Sequence, residues 1–565
     1  MNSRKTLFLV VLAVIVGGLV VWDHFKGTTT TDREVQGKHI LNIDTKQVSH
    51  FELVRSNQTI VLERTGDNWD IKQPIAVRAD FSAVSSTLAD LEFAERSRTL
   101  TEKELQGVSL TGFGLASPRA SIKLQTKSGP VILLIGNETP TKNALYVQVA
   151  GQREVCVAPV SLYDRATQSL DTLRSRTAIE FTPASVTRME IKTADRVIEL
   201  KKLDAHWTIV RPLIARADQD KISELLSGLS GLQVQDFISE DPKDLHSFHL
   251  DEPEHEVTIF TGEAGKTLLL GSAPTNDAGK VYAKLKSADS IFTIAGEPAK
   301  KFAVQINDLR DTRVLAFEPA NVKSITIVRG ADKLALQRDM QGWKLTAPVS
   351  AAAEEAAVSR LLDDLAGIRA KRFVADVTTE PQRYGLATPA AMVTLTGAGT
   401  NVLLVGSMDD SNTMCFVKCA GEEFIYGVET NLLEQLPANY GTLRSRSVFN
   451  FQAEKITKLV TDNVTVARET GKWRLVSPTT GTLDTNAVQT VVEAFAKLKA
   501  ESFGRPKAEP DAELGYIIRA TVGDITHWLA VASDGQIAAS SAELTFQLPA
   551  SVVATLTNSV LAAKP

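Results

Sequence analysis

The stretch WTIVRPLIARADQDKISELLSGL, residues 207–229, decides how the chain folds. Trp207 and Ile209 alternate with polar neighbours as a half-buried strand does, and Pro212 breaks that strand. Six residues later Asp218 stands where a helix would begin, because a short acid accepts the orphan N–H groups of a first turn and complements its dipole. Ile222, Leu226 and Leu229 then fall at offsets of 4 and 3, one face of a helix.

The same pattern occurs four times. Trp-x4-Pro appears as Trp69/Pro74, Trp207/Pro212, Trp343/Pro348 and Trp473/Pro478, with tryptophan spacings of 138, 136 and 130 residues. Eleven residues after each tryptophan comes an acid: Asp80, Asp218, Glu354 or Asp484. Apolar residues follow in step, such as Val84, Leu88 and Leu91 in the first copy and Val488, Val492 and Phe495 in the fourth. A long fixed period of this kind indicates tandem copies of one folding unit and outranks local propensity.

Working outward, Met189/Ile191, Val197/Ile198/Leu200 and Trp207/Ile209 predict a three-stranded meander with turns at Ala194-Asp195 and Asp204-Ala205. After the helix, Gly-Leu-x-x-Pro occurs at Gly114–Pro118 and Gly385–Pro389, with His249–Pro253 in the second copy. An apolar strand ending in Gly136, Gly271 or Gly406 follows, then another strand around Tyr146, Tyr282 or Phe416. Three copies close with Leu-Arg and a phenylalanine seven residues on: Arg174/Phe181, Arg310/Phe317 and Arg444/Phe451. The fourth retains tryptophan, proline and helix, but Leu514-Gly515-Tyr516 lacks the proline and no Leu-Arg follows, so it is expected to be a degenerate cap. The expected class is α+β: four tandem units, each a mainly antiparallel sheet with one or two helices, in an elongated array. Their expected limits are 48–184, 185–320, 321–454 and 455–565.

At 565 residues the chain exceeds one core, and its 43% hydrophobic and 23% charged residues are ordinary globular material. A net charge of −5 without any Lys/Arg run longer than two argues against nucleic acid as a partner. Cys156, Cys415 and Cys419 form no disulfide framework. If one strand carries Cys415 and Cys419, their Cα atoms stand roughly 13 Å apart, beyond disulfide reach, and all three are expected to be small core hydrophobes. At the N-terminus, Arg4 and Lys5 precede the uncharged run Thr6–Trp22. A cleaved signal peptide and a retained anchor compete. The bulky Leu19–Trp22 offers no small-residue cleavage site, and Trp22 suits a membrane interface, which favours the anchor. Residues 1–26 are thus expected to be a cytoplasmic tip and transmembrane helix, and 27–47 a tether. No cysteine in the first thirty residues leaves a lipid anchor without an attachment point.

Taken together, Trp-x4-Pro, the helix, Gly-Leu-x-x-Pro, the strand ending in glycine and Leu-Arg near phenylalanine resemble the bacterial family designated domain of unknown function 4340. The resemblance runs from residue 48 to about 560, in three close copies and one departing copy. It implies an envelope protein with an N-terminal membrane helix, in the company of ABC transporters similar to those tied to gliding motility. The family assigns no catalytic residues.

The residues themselves support little chemistry. The four tryptophans suit core anchors better than ligand platforms. Arg174, Arg310 and Arg444 are candidate interface residues: each can contact a carboxylate of the neighbouring unit bidentately, or an anionic partner. His246, His249 and His255 amid Asp251, Glu252, Glu254 and Glu256 form the best metal candidate, but Pro253 breaks the scaffold and a solvated acidic loop is the plainer reading. Gly-x-Ser-x-Gly and the P-loop pattern are absent. The expectation is a non-enzymatic protein without cofactor: a membrane-tethered extracytoplasmic scaffold or accessory subunit of an ABC-transporter-linked complex at the inner membrane. A lipid- or glycan-binding envelope protein is the alternative, and a metal-dependent hydrolase a third.

Overall fold

The computed structural model describes residues 38–506, 514–532, 536–542 and 544–561. They form two compact units, one ending at Arg310 and one beginning at Asp311, each holding two copies of the repeat.

The first copy sets the pattern. Its strands are β1 (His50–Arg55), β2 (Gln58–Thr65), β3 (Asn68–Gln73), β4 (Val77–Arg78), β5 (Arg98–Leu100), β6 (Ala120–Thr126), β7 (Gly129–Glu138), β8 (Ala144–Val149) and β9 (Val155–Pro159). One antiparallel sheet contains them in the order β4-β3-β2-β1-β6-β7-β8-β9-β5. The first meander therefore runs outward to β4, helix α1 (Phe81–Glu92) crosses to the opposite edge, and β6 returns beside β1 before a second meander. The second and third copies repeat this nine-stranded order, and the fourth shows eight strands among its described residues, without a counterpart of β4.

Local chemistry explains these elements. Phe51, Leu53, Ile60, Leu62 and Ile71 alternate onto the face of the sheet that α1 covers with Val84, Leu88 and Leu91. Each such side chain contributes about 2 kcal/mol on burial. The four tryptophans are buried, and Phe51 meets Trp69 edge to face at 5.5 Å. The prolines that follow all sit on cis peptides: Gln73-Pro74, Arg211-Pro212, Ala347-Pro348 and Ser477-Pro478. Asp80, Asp218 and Asp484 cap their helices by accepting main-chain N–H groups at 2.7 to 3.1 Å. Glu354, one methylene longer, occupies the same place without a side-chain cap.

The loop after the helix explains Gly-Leu-x-x-Pro. Its leucine is buried on the opposite face of the sheet: in the second copy Leu250 joins Leu269 and Ile291 in a small second core, while Leu268 and Leu270 point to the main one. An edge-to-face aromatic pair accompanies it in three copies: Phe113/Tyr146 at 4.8 Å, Phe248/Tyr282 at 4.9 Å and Tyr384/Phe416 at 5.1 Å. Gly114 and Gly385 adopt positive φ, and His249 takes the same left-handed conformation in the second copy. The strand-ending glycines lie so close to the loop that a Cβ on Gly136, Gly271 or Gly406 would fall 2.0 to 2.1 Å from a backbone oxygen.

Two sequence expectations need correction. The unit limits at 184, 320 and 454 fall too late. Core packing passes from Leu173 to Ala178, from Leu309 to Val314 and from Leu443 to Val448, because the residues after Leu-Arg, with Phe181, Phe317 and Phe451, pack into the core that follows. Residues 38–47, assigned to the tether, belong to the first copy for the same reason: Ile40 and Leu41 are buried in its core. In the fourth copy Val560-Leu561 occupies the place of Leu-Arg, with Leu561 bridged to Leu483 as Arg174 is to Ala79. Residues 1–26 and 27–37 lie outside the described residues, among which no helix is long and apolar enough to cross a membrane. Cys156, Cys415 and Cys419 are buried free thiols, and burial pushes Cys415 up to about 11.

Alanine at Gly271 or Gly406 is expected to lower stability by about 2–3 kcal/mol, since the obstacle is backbone and cannot step aside. Alanine at Gly228, a helical position with nothing within 4 Å of the added Cβ, is expected to raise it by about 0.5–1 kcal/mol. Urea denaturation of the full chain measures both, and equal effects at the two kinds of site would contradict this packing.

Candidate functional site

The most elaborate side-chain arrangement lies where the first copy hands over to the second, within the unit that ends at Arg310. A short helix, Leu170–Leu173, ends at Arg174. The Leu173 carbonyl accepts the N–H of the helix-capping Asp80 at 2.7 Å, which closes the first copy. Five residues on, Ala178 N–H donates to Leu232 O at 2.9 Å, and Val234 N–H donates to Arg176 O at 2.6 Å, which ties the same strip of chain to the second copy.

Between these ties, Arg174 crosses the seam. It is 3% exposed. One guanidinium nitrogen meets Asp171 of its own copy at 2.7 Å and another meets Glu240 of the next at 2.5 Å. The guanidinium carbon lies 3.0 Å from the centre of the Phe237 ring, and Ser290 donates to the second Glu240 oxygen. A cation held between two carboxylates over an aromatic face gives orientation as well as attraction. Arg444 in the other unit lies 3.9 Å from the centre of the Phe503 ring, which belongs to the fourth copy. Arg310 is buried, bridges its backbone to Ala217 and donates to Asn307 Oδ1 at 3.3 Å.

Two recurring partners escaped the sequence reading although a signal existed. Phe237, Phe373 and Phe503 each stand eight residues after the last helix apolar residue, Leu229, Leu365 or Phe495. A cation stands five residues before every tryptophan: Arg64, Lys202, Arg338 and Arg468. Each is the cross-strand partner of its tryptophan. The three arginines also donate to the carbonyl of Lys46, Ala320 or Glu454 in the turn that opens their copies. Trp69/Pro74, Trp207/Pro212, Trp343/Pro348 and Trp473/Pro478 lie in core and turn.

The histidine cluster is not assembled into a metal centre. His246 pairs with exposed Asp251 at 3.1 Å, an interaction that raises its pKa above 6.5, and its ring centre is 6.2 Å from that of His249. His255 stands on the strand His255–Thr261 with Nδ1 buried and unpartnered, and burial holds it below the ordinary 6.5. Among the described residues no group of three or more His, Cys, Asp or Glu side chains is placed to hold a metal ion.

Comparison with known proteins agrees with this architecture. The sequence matches the family described as Domain of unknown function (DUF4340) over residues 69–211, 207–344 and 343–515, and no curated protein matches it. The chain belongs to this family. The three matched spans begin at successive tryptophans, whereas the structure contains four sheets, so the family unit is offset from the folding unit. Each span joins the helix and second meander of one copy to the first meander of the next, and so contains a handover segment.

Replacing Arg174 with Met is expected to cost about 3 kcal/mol, because Glu240 then stays at the seam without its cation. Lys is expected to restore little, lacking the planar fork. Urea denaturation and proteolysis within residues 175–186 measure this; an effect no larger than that of Arg153→Ala, an exposed pair with Glu102, would refute the role. At His255 the unfolded chain takes up a proton near pH 6.5 and the folded chain only at lower pH. Stability is therefore expected to fall as pH drops below 6.5, with exposed His246 opposing it weakly. His255→Leu is expected to flatten the decline; an unchanged pH profile of the melting temperature would contradict it.

Proposed function

We propose that the chain is a non-enzymatic scaffold or accessory subunit of an envelope complex, tethered to the inner membrane by residues 6–22 with its copies on the extracytoplasmic side. One observation carries this reading: the positions that recur through the sequence build the frame and its seams. The capping acids, the cis prolines, the buried tryptophans and the Leu-Arg segments all hold one copy together or join it to the next. Units joined in series offer reach and repeated surface, which suits a spacer or adaptor. The uncharged run Thr6–Trp22 flanked by Arg4 and Lys5 supports a tether with its tip in the cytoplasm. An ABC transporter is the proposed partner, on the strength of the company that the family resemblance implies.

The test is extraction of native membranes in mild detergent, capture of the full chain and mass spectrometry of what accompanies it. Stoichiometric recovery of transporter subunits is expected, with the chain resisting carbonate extraction. Release by carbonate, or recovery of the chain alone after crosslinking in cells, would sink the reading.

A further inference from the structure

We propose that the seam between the first and second copies holds a binding site for a small organic acid: a compact apolar body carrying one carboxylate or phosphate head. This goes beyond the scaffold reading and stands independently of it.

A cavity of about 360 Å³ opens beside Arg174, walled by residues of both copies. That volume is at the lower end of those that hold small ligands. Ile179, Val234, Phe237 and Phe292 supply an apolar wall. Four charged side chains line it, Arg78, Arg174, Lys266 and Glu180, beside the hydroxyls of Ser175, Thr177, Ser287 and Ser290. Apolar surface predominates in a lining that also carries polar groups, as it does in ligand pockets.

The cations are in different states. Arg78 pairs with Asp70 at 2.8 Å and approaches Glu180 at 3.8 Å, so its charge is met. Arg174 is likewise met, by Asp171 and Glu240. Lys266 donates to the Glu180 carbonyl at 2.5 Å, and among the described residues no carboxylate lies within ion-pair distance of it. A bound acid therefore meets the ammonium of Lys266, the one lining cation without a carboxylate partner among the described residues, and an apolar wall for its body. An alcohol of the same shape lacks the charge, and an amine meets Lys266 with the same sign.

The test uses the purified full chain, with hexanoate, hexyl phosphate and 1-hexanol as probes, by saturation-transfer NMR at about 0.15 M salt. One of the two acids is expected to bind saturably with a Kd of about 1 mM or tighter, and hexanol at least tenfold more weakly. The tighter acid identifies the head group. Ala288→Trp, which fills the cavity from its half-buried wall, and Lys266→Ala, which removes the rim cation that has no carboxylate partner, are each expected to weaken binding at least tenfold. Lys266 is exposed, so its variant remains informative if the tryptophan disturbs folding. Failure of both acids to saturate, equal binding of hexanol, or undiminished binding by Lys266→Ala would overturn the proposal. Loss of transporter co-purification would leave it standing.

Discussion

Every copy depends on one hydrogen bond made far along the chain from the helix it completes. The N–H of the capping acid is donated to the carbonyl of a residue about ninety positions later: Asp80 to Leu173, Asp218 to Leu309, Glu354 to Leu443 and, somewhat sooner, Asp484 to Val560. That bond seats the helix N-terminus, lays the closing leucine into the core and sets where the chain leaves. Within the next few residues the strip pairs with backbone beyond the following helix, as Ala178 does with Leu232 and Val448 with Leu498. One extended strip thus terminates one core and initiates another. Main-chain hydrogen bonds on a buried strip are costly to leave unmade. The handover is accordingly part of each fold and not a linker between folds.

This explains why the family's sequence unit runs from tryptophan to tryptophan while the folding unit runs from lead-in to closing leucine. A span such as 69–211 encloses a whole seam. What recurs in sequence is then a helix, a second meander, a handover and the meander that receives it. The unit of recurrence is therefore a joint. The scaffold proposal grows from that property, and the seam cavity shows that a joint also encloses space whose chemistry is its own.

Side chains refine what the backbone establishes. Arg174 meets carboxylates from both sides of a seam and lies against Phe237, while Arg444 lies against Phe503 in the corresponding position. Planar guanidinium groups serve this purpose better than lysine, because face and edge are used together. The fourth copy carries Val560-Leu561 at its closing position, so the backbone closure survives there without the arginine. Closure and seam recognition are separable functions of the same strip.

The amino-acid sequence by itself determined the number of copies, the helix with its capping acid, the meander before each tryptophan and the family. These are local or periodic properties: apolar offsets of 3 and 4, alternation by 2, and a period near 136 residues are legible without knowing what touches what. Tertiary structure alone decided where one copy ends, since Ala178 and Ile179 follow Leu-Arg in sequence yet pack into the next core. It also decided that the histidines stay apart, that Gly136 is required by a carbonyl from a loop more than twenty residues away, and that Arg174 meets Glu240 across 66 positions. Such facts depend on which surfaces meet once the chain is compact, and a linear pattern carries no record of distance in space.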